Sequence, residues 1–197
     1  EKLPSVDDSM AKNPINSYYL VSRLAELSNK NQPFVSDAGS SYYVTGQALD
    51  YNFGQRDITS GAFATMGAAI PMAIGSSCYD KDAQIIVVTG DGSLELNIQE
   101  LKTVSQNNLN IKIFVINNGG YASIRESQDE YSDGRYTEAE DILDFSKVAE
   151  AFEMEYEIIE DYNTVDQKIK KVTGNQNPTL IEVVCERDQT IFGPEVI

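Results

Sequence analysis

Residues 84–93 have the sequence QIIVVTGDGS, in which an unbroken apolar run leads directly into a glycine-rich tetrapeptide. A continuous apolar run indicates a strand that is covered on both faces, as in a parallel sheet between two layers of helices. Residues 111–120, IKIFVINNGG, repeat this pattern. Both segments therefore predict buried strands of a parallel sheet.

The rest of the chain alternates short apolar runs with stretches of helical periodicity. We predict strands at residues 34–37, 84–89, 111–117, 156–159 and 179–185. We predict helices at residues 15–27, 66–78, 96–107, 144–152 and 164–172. Residues 127–141 show no clear period and are predicted to form a long loop. This alternation predicts an α/β fold, doubly wound and mostly parallel, with helices on both faces of the sheet.

The domain boundaries follow from composition and length. Residues 1–14 are polar and predict a linker or disordered lead-in, residues 15–190 one binding domain, and residues 191–197 a tail. A chain of 197 residues fits one such domain.

Charge and composition exclude several classes of function. The net charge of -16 argues against nucleic acid or an anionic membrane as partner, since both would be repelled. No apolar run approaches the ~20 residues needed to span a bilayer. The chain contains no histidine, which excludes Ser-His and Cys-His catalysis and histidine-ligated zinc within it.

Small and polar residues follow three of the predicted strands. These segments are DAGSS at residues 37–41, GDGS at 90–93 and NNGGY at 117–121. Each leads into a helix and so exposes backbone N–H groups that suit a phosphate. Asp91 and Asn118 add two hard oxygen ligands of the kind that Mg²⁺ prefers. Either motif alone would indicate a turn or a helix cap, but together they predict a diphosphate bridged to the protein through Mg²⁺.

The motif GDGS at residues 90–93, followed after 23 residues by Asn117-Asn118, resembles the signature of thiamine-diphosphate (ThDP) enzymes. The resemblance extends over most of the chain and is strongest to the C-terminal domain of acetolactate synthases. It includes ITSGAFATMG at residues 58–67, IPMAIG at 70–75 and FSKVAEAF at 145–152. It implies the ThDP-binding fold, with a six-stranded sheet.

The resemblance also implies roles for individual residues. The Mg²⁺ ligands would be the side chains of Asp91 and Asn118 and the carbonyl of Gly120. Met66 would hold the cofactor bent, and the carbonyl of Ala64 would accept a hydrogen bond from its aminopyrimidine ring. The diphosphate would be contacted by Gly39, Ser40, Ser41, Gly92, Ser93, Tyr121 and Ala122.

In the resembling family the glutamate that activates the cofactor lies on a preceding pyrimidine-binding domain, and no residue here matches it. The resemblance therefore implies no catalytic side chain in this chain, and a partner domain in the same or a neighbouring subunit. It further implies a cytoplasmic homodimer or homotetramer that acts on a small 2-oxoacid such as pyruvate. FAD is possible in a full-length enzyme. The lead-in resembles the family's interdomain linker, which predicts that the chain is a piece of a longer protein.

One departure leaves the reaction open. Acetolactate synthases typically carry a tryptophan where this chain has Ser127, and NNGGYASIR at residues 117–125 is similar to relatives in sugar or polysaccharide pathways that transfer an acyl group. A ThDP-dependent 2-oxoacid decarboxylase and a non-catalytic domain that kept the fold are further alternatives. A nicotinamide-binding domain is disfavoured because no Gly-x-Gly-x-x-Gly follows the first strand. An oxoacid:ferredoxin oxidoreductase subunit is disfavoured because its cluster cysteines are absent.

Overall fold

The computed structural model describes residues 6–137 and 142–192. Within them, six strands form one sheet in the order β2-β1-β3-β4-β6-β5, and every pair of neighbours is parallel. The strands are β1 (Pro33–Ser36), β2 (Arg56–Ile58), β3 (Ile85–Gly90), β4 (Ile111–Asn117), β5 (Glu155–Ile159) and β6 (Thr179–Val184). The predicted α/β fold is confirmed, and the sheet is wholly rather than mostly parallel.

Helices connect the strands and cover the sheet. Those in the described residues are α1 (Ser17–Leu27), α2 (Gly39–Ala48), α3 (Ala69–Tyr79), α4 (Asp91–Glu95), α5 (Glu100–Gln106), α6 (Ala122–Tyr131), α7 (Phe145–Ala151) and α8 (Val165–Thr173). None of them is long and apolar enough to cross a bilayer.

Two apolar cores lie on opposite faces of the sheet, because successive strand residues point to opposite sides. In β3, Ile86 and Val88 pack with α1, α2 and α8, whereas Ile85 and Val87 pack with α3, α5 and α7. The central strands β3 and β4 are therefore buried on both faces, as their largely apolar sequences predict, and the burial in β4 includes Lys112.

All five predicted strands are confirmed to within one residue at each end. The sixth, β2, has only three residues and is partly exposed at the edge of the sheet, so no apolar run marks it. The helix predicted at residues 96–107 is shorter in the structure, where α5 begins only at Glu100. A separate helix, α4, lies before it. The predicted helix at residues 66–78 begins only at Ala69.

The predicted loop at residues 127–141 is wrong at its start. Residues 127–131 belong to α6, residues 132–137 are non-helical, and residues 138–141 lie outside the described residues. Arg125 is the buried residue of this polar helix. A helix fixed by a buried guanidinium rather than by an apolar stripe has no hydrophobic period to detect.

Both ends of the described chain contact the domain. In the lead-in, Asp8–Met10 form a 3-10 turn, and Val6 and Met10 pack against the core. In the predicted tail, the backbone N–H of Phe192 donates to the hydroxyl of Tyr18 over 3.0 Å, and the two rings are 5.0 Å apart. The remaining lead-in and tail residues, 1–5 and 193–197, lie outside the described residues.

Candidate cofactor and metal site

A cavity of about 300 Å³ opens at the carboxyl ends of β1, β3 and β4. From β1 the chain runs to β2 on one side, and from β2 it crosses back by way of α3 to β3 on the other side of β1, so the strand order reverses here. In open α/β sheets such a switch point is where ligands bind. All twelve predicted site residues line this one cavity: Gly39, Ser40, Ser41, Ala64, Met66, Asp91, Gly92, Ser93, Asn118, Gly120, Tyr121 and Ala122.

Asp91 joins the ends of β3 and β4. It begins α4 directly after β3, and one carboxylate oxygen, Oδ2, accepts the backbone N–H groups of Asn118 at 3.1 Å and Gly120 at 3.0 Å. Its other oxygen, Oδ1, accepts the N–H of Gly92 at 2.7 Å. Burial raises the pKa of Asp91 above its ordinary value, while these N–H groups act in the opposite direction. A bound cation would favour the ionised form further.

The loop between β4 and α6 presents its backbone to the cavity. Gly119 and Gly120 have φ angles of 77° and 105°, a region that favours glycine. The carbonyl of Gly120 accepts the N–H of Ala122 at 2.9 Å, which leaves its second lone pair for another partner. Asn118 lines the cavity and is buried.

A second segment, residues 61–67, closes another side of the cavity. Ala64 adopts the left-handed conformation at φ 41° and ψ 52°, which is rare for a residue with a side chain. Met66 lies in the turn before α3 rather than at its first residue, and it lines the cavity. The N–H of Gly67 bonds Oδ2 of Asp37 at 3.2 Å and so ties this segment to β1.

The start of α2 forms the third side. Gly39 is the first helical residue, and the N–H groups of a first helical turn have no partner within the helix. The hydroxyl of Ser41, by contrast, bonds the carbonyl of Ala38 at 2.8 Å and Oδ1 of Asp37 at 3.2 Å. A contact from Ser41 to a diphosphate would therefore use its backbone N–H or require its hydroxyl to turn.

Asp37 does not line the cavity but bonds to Ser41, which does, and no role for Asp37 was predicted from the sequence. It is fully buried, and its carboxylate accepts the N–H of Ala38 at 2.9 Å and the hydroxyl of Thr89 at 3.0 Å. Burial raises its pKa, and these hydrogen bonds oppose that change. Asp37 thus links the ends of β1 and β3 beneath the cavity. Its position immediately after a strand was the available signal.

The oxygen atoms that the cavity offers as metal ligands fit a diphosphate held through Mg²⁺. One buried carboxylate, one amide and one carbonyl would supply protein oxygens, and Mg²⁺ characteristically completes its shell with phosphate and water. Within residues 6–137 and 142–192, no group of three His, Cys, Asp or Glu side chains could hold a metal by itself. A metal in this cavity would therefore depend on the diphosphate for part of its coordination.

Comparison with known proteins agrees with this geometry. The family model "Thiamine pyrophosphate enzyme, C-terminal TPP binding domain" matches residues 37–183. The chain is 28% identical over 184 residues to the acetolactate synthase isozyme 1 large subunit of Escherichia coli, covering 92% of this chain and 33% of that protein. It is 32% identical over 154 residues to an acetolactate synthase large subunit of Buchnera aphidicola, covering 77% and 27%. The chain thus spans about a third or less of the length of these relatives.

Proposed function

The chain belongs to the thiamine pyrophosphate enzyme family, as a C-terminal TPP binding domain, and from this premise we propose that it serves an acetolactate synthase-like carboligase that depends on ThDP and Mg²⁺. The observation that carries the proposal is the convergence of all twelve predicted residues on one cavity, with the Asp91 carboxylate on its wall. The proposed substrate is a 2-oxoacid such as pyruvate.

The residues of the chain divide the work of binding. Asp91, Asn118 and the carbonyl of Gly120 would hold Mg²⁺. At the starts of α2, α4 and α6, the N–H groups would face the diphosphate, although those of Gly92 and Ala122 would have to leave their present acceptors, Asp91 and Gly120. Met66 and Ala64, on the segment closing the cavity, would orient the organic rings. When bound, ThDP supplies the electron sink for decarboxylation and carbon–carbon bond formation.

The proposal includes a division of labour with another domain. The chain provides binding and orientation, and the glutamate that activates the cofactor would come from a pyrimidine-binding domain of the same or a neighbouring subunit. We therefore expect the 197-residue chain alone to be inactive. We also propose that the full enzyme is a cytoplasmic homodimer or homotetramer. Any FAD in the full-length enzyme would bind outside this domain.

Calorimetry with the purified chain tests the cofactor assignment. We expect ThDP to bind when Mg²⁺ is present and not after EDTA treatment, and equal affinity under both conditions would contradict the proposal. Adding pyruvate to the Mg-ThDP-loaded chain should release no CO₂ at an enzymatic rate, and rapid release would contradict the division of labour.

The alternative reaction is acyl transfer to a sugar-type acceptor. Ser127, which the resemblance matches to the family's tryptophan, is exposed on α6, and a small side chain at that position would leave more room for an acceptor. Product analysis of the whole enzyme distinguishes these reactions. Formation of acetolactate would support the carboligase, and release of an aldehyde would support a decarboxylase. An acylated acceptor would support the transferase. Absence of any ThDP binding would support a non-catalytic domain.

A further inference from the structure

Arg125 lies on the first turns of α6 and has no part in the roles described above. It is fully buried, which is rare for arginine, and it is not among the residues that line the cavity. Its guanidinium donates to the carbonyls of Asn118 at 3.0 Å and Gly119 at 3.1 Å. A buried charge persists only where such partners compensate for lost water.

The carbonyl of Gly119 and the N–H of Gly120 belong to the same peptide group. Arg125 donates to that carbonyl, and the N–H donates to Asp91 Oδ2 at 3.0 Å. A single peptide group therefore connects the guanidinium to the carboxylate on the cavity wall. Hydrogen bonds in series polarise one another, so the positive charge of Arg125 strengthens the Gly120 donor.

The loop that Arg125 contacts needs support from outside itself. Gly119 and Gly120 both have positive φ angles, and glycines lose the most conformational freedom when they are fixed. The Asp91 carboxylate holds this loop by accepting the loop's N–H groups, but a metal bound to Asp91 would compete for the same carboxylate oxygens. The bonds from Arg125 to the carbonyls would remain.

Arg125 is itself anchored by the segment that follows β6. Its Nε donates to Asp188 Oδ1 at 3.0 Å, and its Nη2 donates to the carbonyl of Arg187. Asp188 is about half exposed, and asparagine at this position would keep an oxygen acceptor for Nε while it removes the counter-charge of the buried guanidinium. The chain after β6 therefore supports this loop in two ways: through Arg125, and directly, because Nη1 of Arg187 donates to the carbonyl of Gly119 at 3.3 Å.

We propose that Arg125 is a positioning residue that holds the loop from Asn118 to Gly120 in the geometry that binds Mg²⁺, with Asp188 as its anchor. This inference rests on the proposed function. Lysine at position 125 would keep the charge but lose the planar fork that reaches several acceptors at once. Partners of metal ligands commonly change metal affinity 10–100-fold when they are mutated.

The test measures the Mg²⁺ concentration that half-saturates ThDP binding, by calorimetry, in the wild type and in Arg125→Lys. The thermal midpoint of each apo protein is recorded alongside. Arg23→Lys is the matched control, because Arg23 makes a two-bond pair with Asp166, each bond 2.7 Å, and neither residue lines the cavity. We expect Arg125→Lys to raise the half-saturating concentration about 10-fold or more, and Arg23→Lys to leave it unchanged.

A folded Arg125→Lys protein with unchanged Mg²⁺ dependence would overturn the inference, whatever its thermal midpoint, because a merely structural role lowers the midpoint alone. If Arg125→Lys does not fold, Asp188→Asn decides: a higher half-saturating Mg²⁺ concentration supports the inference, and an unchanged one overturns it. If the wild type shows no Mg²⁺-dependent ThDP binding, the proposed function itself fails. If the wild type binds ThDP in an Mg²⁺-dependent way and only the variants fail to do so, the proposed function stands.

Discussion

The ring of Tyr121 covers Gly92 so closely that a Cβ atom at Gly92 would lie 2.3 Å from Cε1 of Tyr121. Gly92 is in α4, after β3, and Tyr121 immediately precedes α6, after β4. Glycine is needed at position 92 because of this contact and not because of its backbone angles. The contact sets the spacing of two helix starts that face the cavity.

Gly92→Ala should therefore displace Tyr121 and lower the free energy of unfolding by about 1–3 kcal/mol, the usual cost of overpacking. Gly46→Ala is the control, since a Cβ at that helical position meets nothing within 4 Å. It should raise stability by up to ~1 kcal/mol, because alanine favours the helix. Urea unfolding of both variants checks the prediction, and a Gly92→Ala protein as stable as the wild type would contradict it.

Asp91→Asn should remove Mg²⁺-dependent ThDP binding while the domain remains folded. The amide keeps an acceptor for a backbone N–H group but loses the charge that Mg²⁺ requires beside a diphosphate. Calorimetry at saturating Mg²⁺ measures the loss, and circular dichroism checks the fold. Binding of ThDP at wild-type affinity would show that the metal is held elsewhere.

Ala64→Gly should raise the stability of the protein and weaken its binding of the cofactor. A left-handed residue with a side chain costs about 1–2 kcal/mol, and glycine removes most of that cost but loosens the segment that closes the cavity. Glu153→Gly is the control, because Glu153 also has a positive φ of 56° and is exposed after α7. Both variants should gain about 1 kcal/mol in unfolding experiments, and only Ala64→Gly should reduce ThDP affinity. If Ala64→Gly bound ThDP as tightly as the wild type, the left-handed conformation of Ala64 would have no part in cofactor binding.

The fold could be predicted where apolar burial determines it. Strand β3 contains the unbroken apolar run 85–88 and β4 the run 113–116, so their ends, and with them Asp91 and Asn118, could be placed from sequence. The edge strand β2 is short and partly exposed, and α6 is held by Arg125 through polar contacts, so neither carries a hydrophobic period. The position of Asp37 after a strand marks it as a candidate, but its bond to Thr89 depends on the register of β1 against β3, which single-sequence patterns do not contain.

Lys112 should make stability depend on pH in the alkaline range. It is fully buried in β4, and burial lowers its pKa to about 8, although Glu155 opposes the change. In the unfolded chain the pKa returns to about 10.4. Between these values the unfolded chain binds more protons than the folded one, so the free energy of unfolding rises with pH across this window. Below about pH 8 the cost of burying the charge is fully present.

Denaturant unfolding from pH 7.5 to 10.5 of the wild type and Lys112→Met measures this contribution. We expect the wild type to gain about 1–3 kcal/mol relative to the variant as the pH rises. Subtracting the variant removes the titration of tyrosines and other groups. Parallel pH profiles would show that Lys112 keeps its ordinary pKa.

The cavity is assembled from strands that are distant in the chain: Phe34 of β1 pairs with Ile86 of β3, which pairs with Lys112 of β4. An unfolded chain cannot present these three strand ends together, so the proposed cofactor recognises only folded molecules. A hundredfold excess over the dissociation constant then adds about 2.7 kcal/mol to stability. In a cell, a shortage of thiamine would enlarge the unfolded pool exposed to proteases, and the abundance of the enzyme would follow the supply of its vitamin.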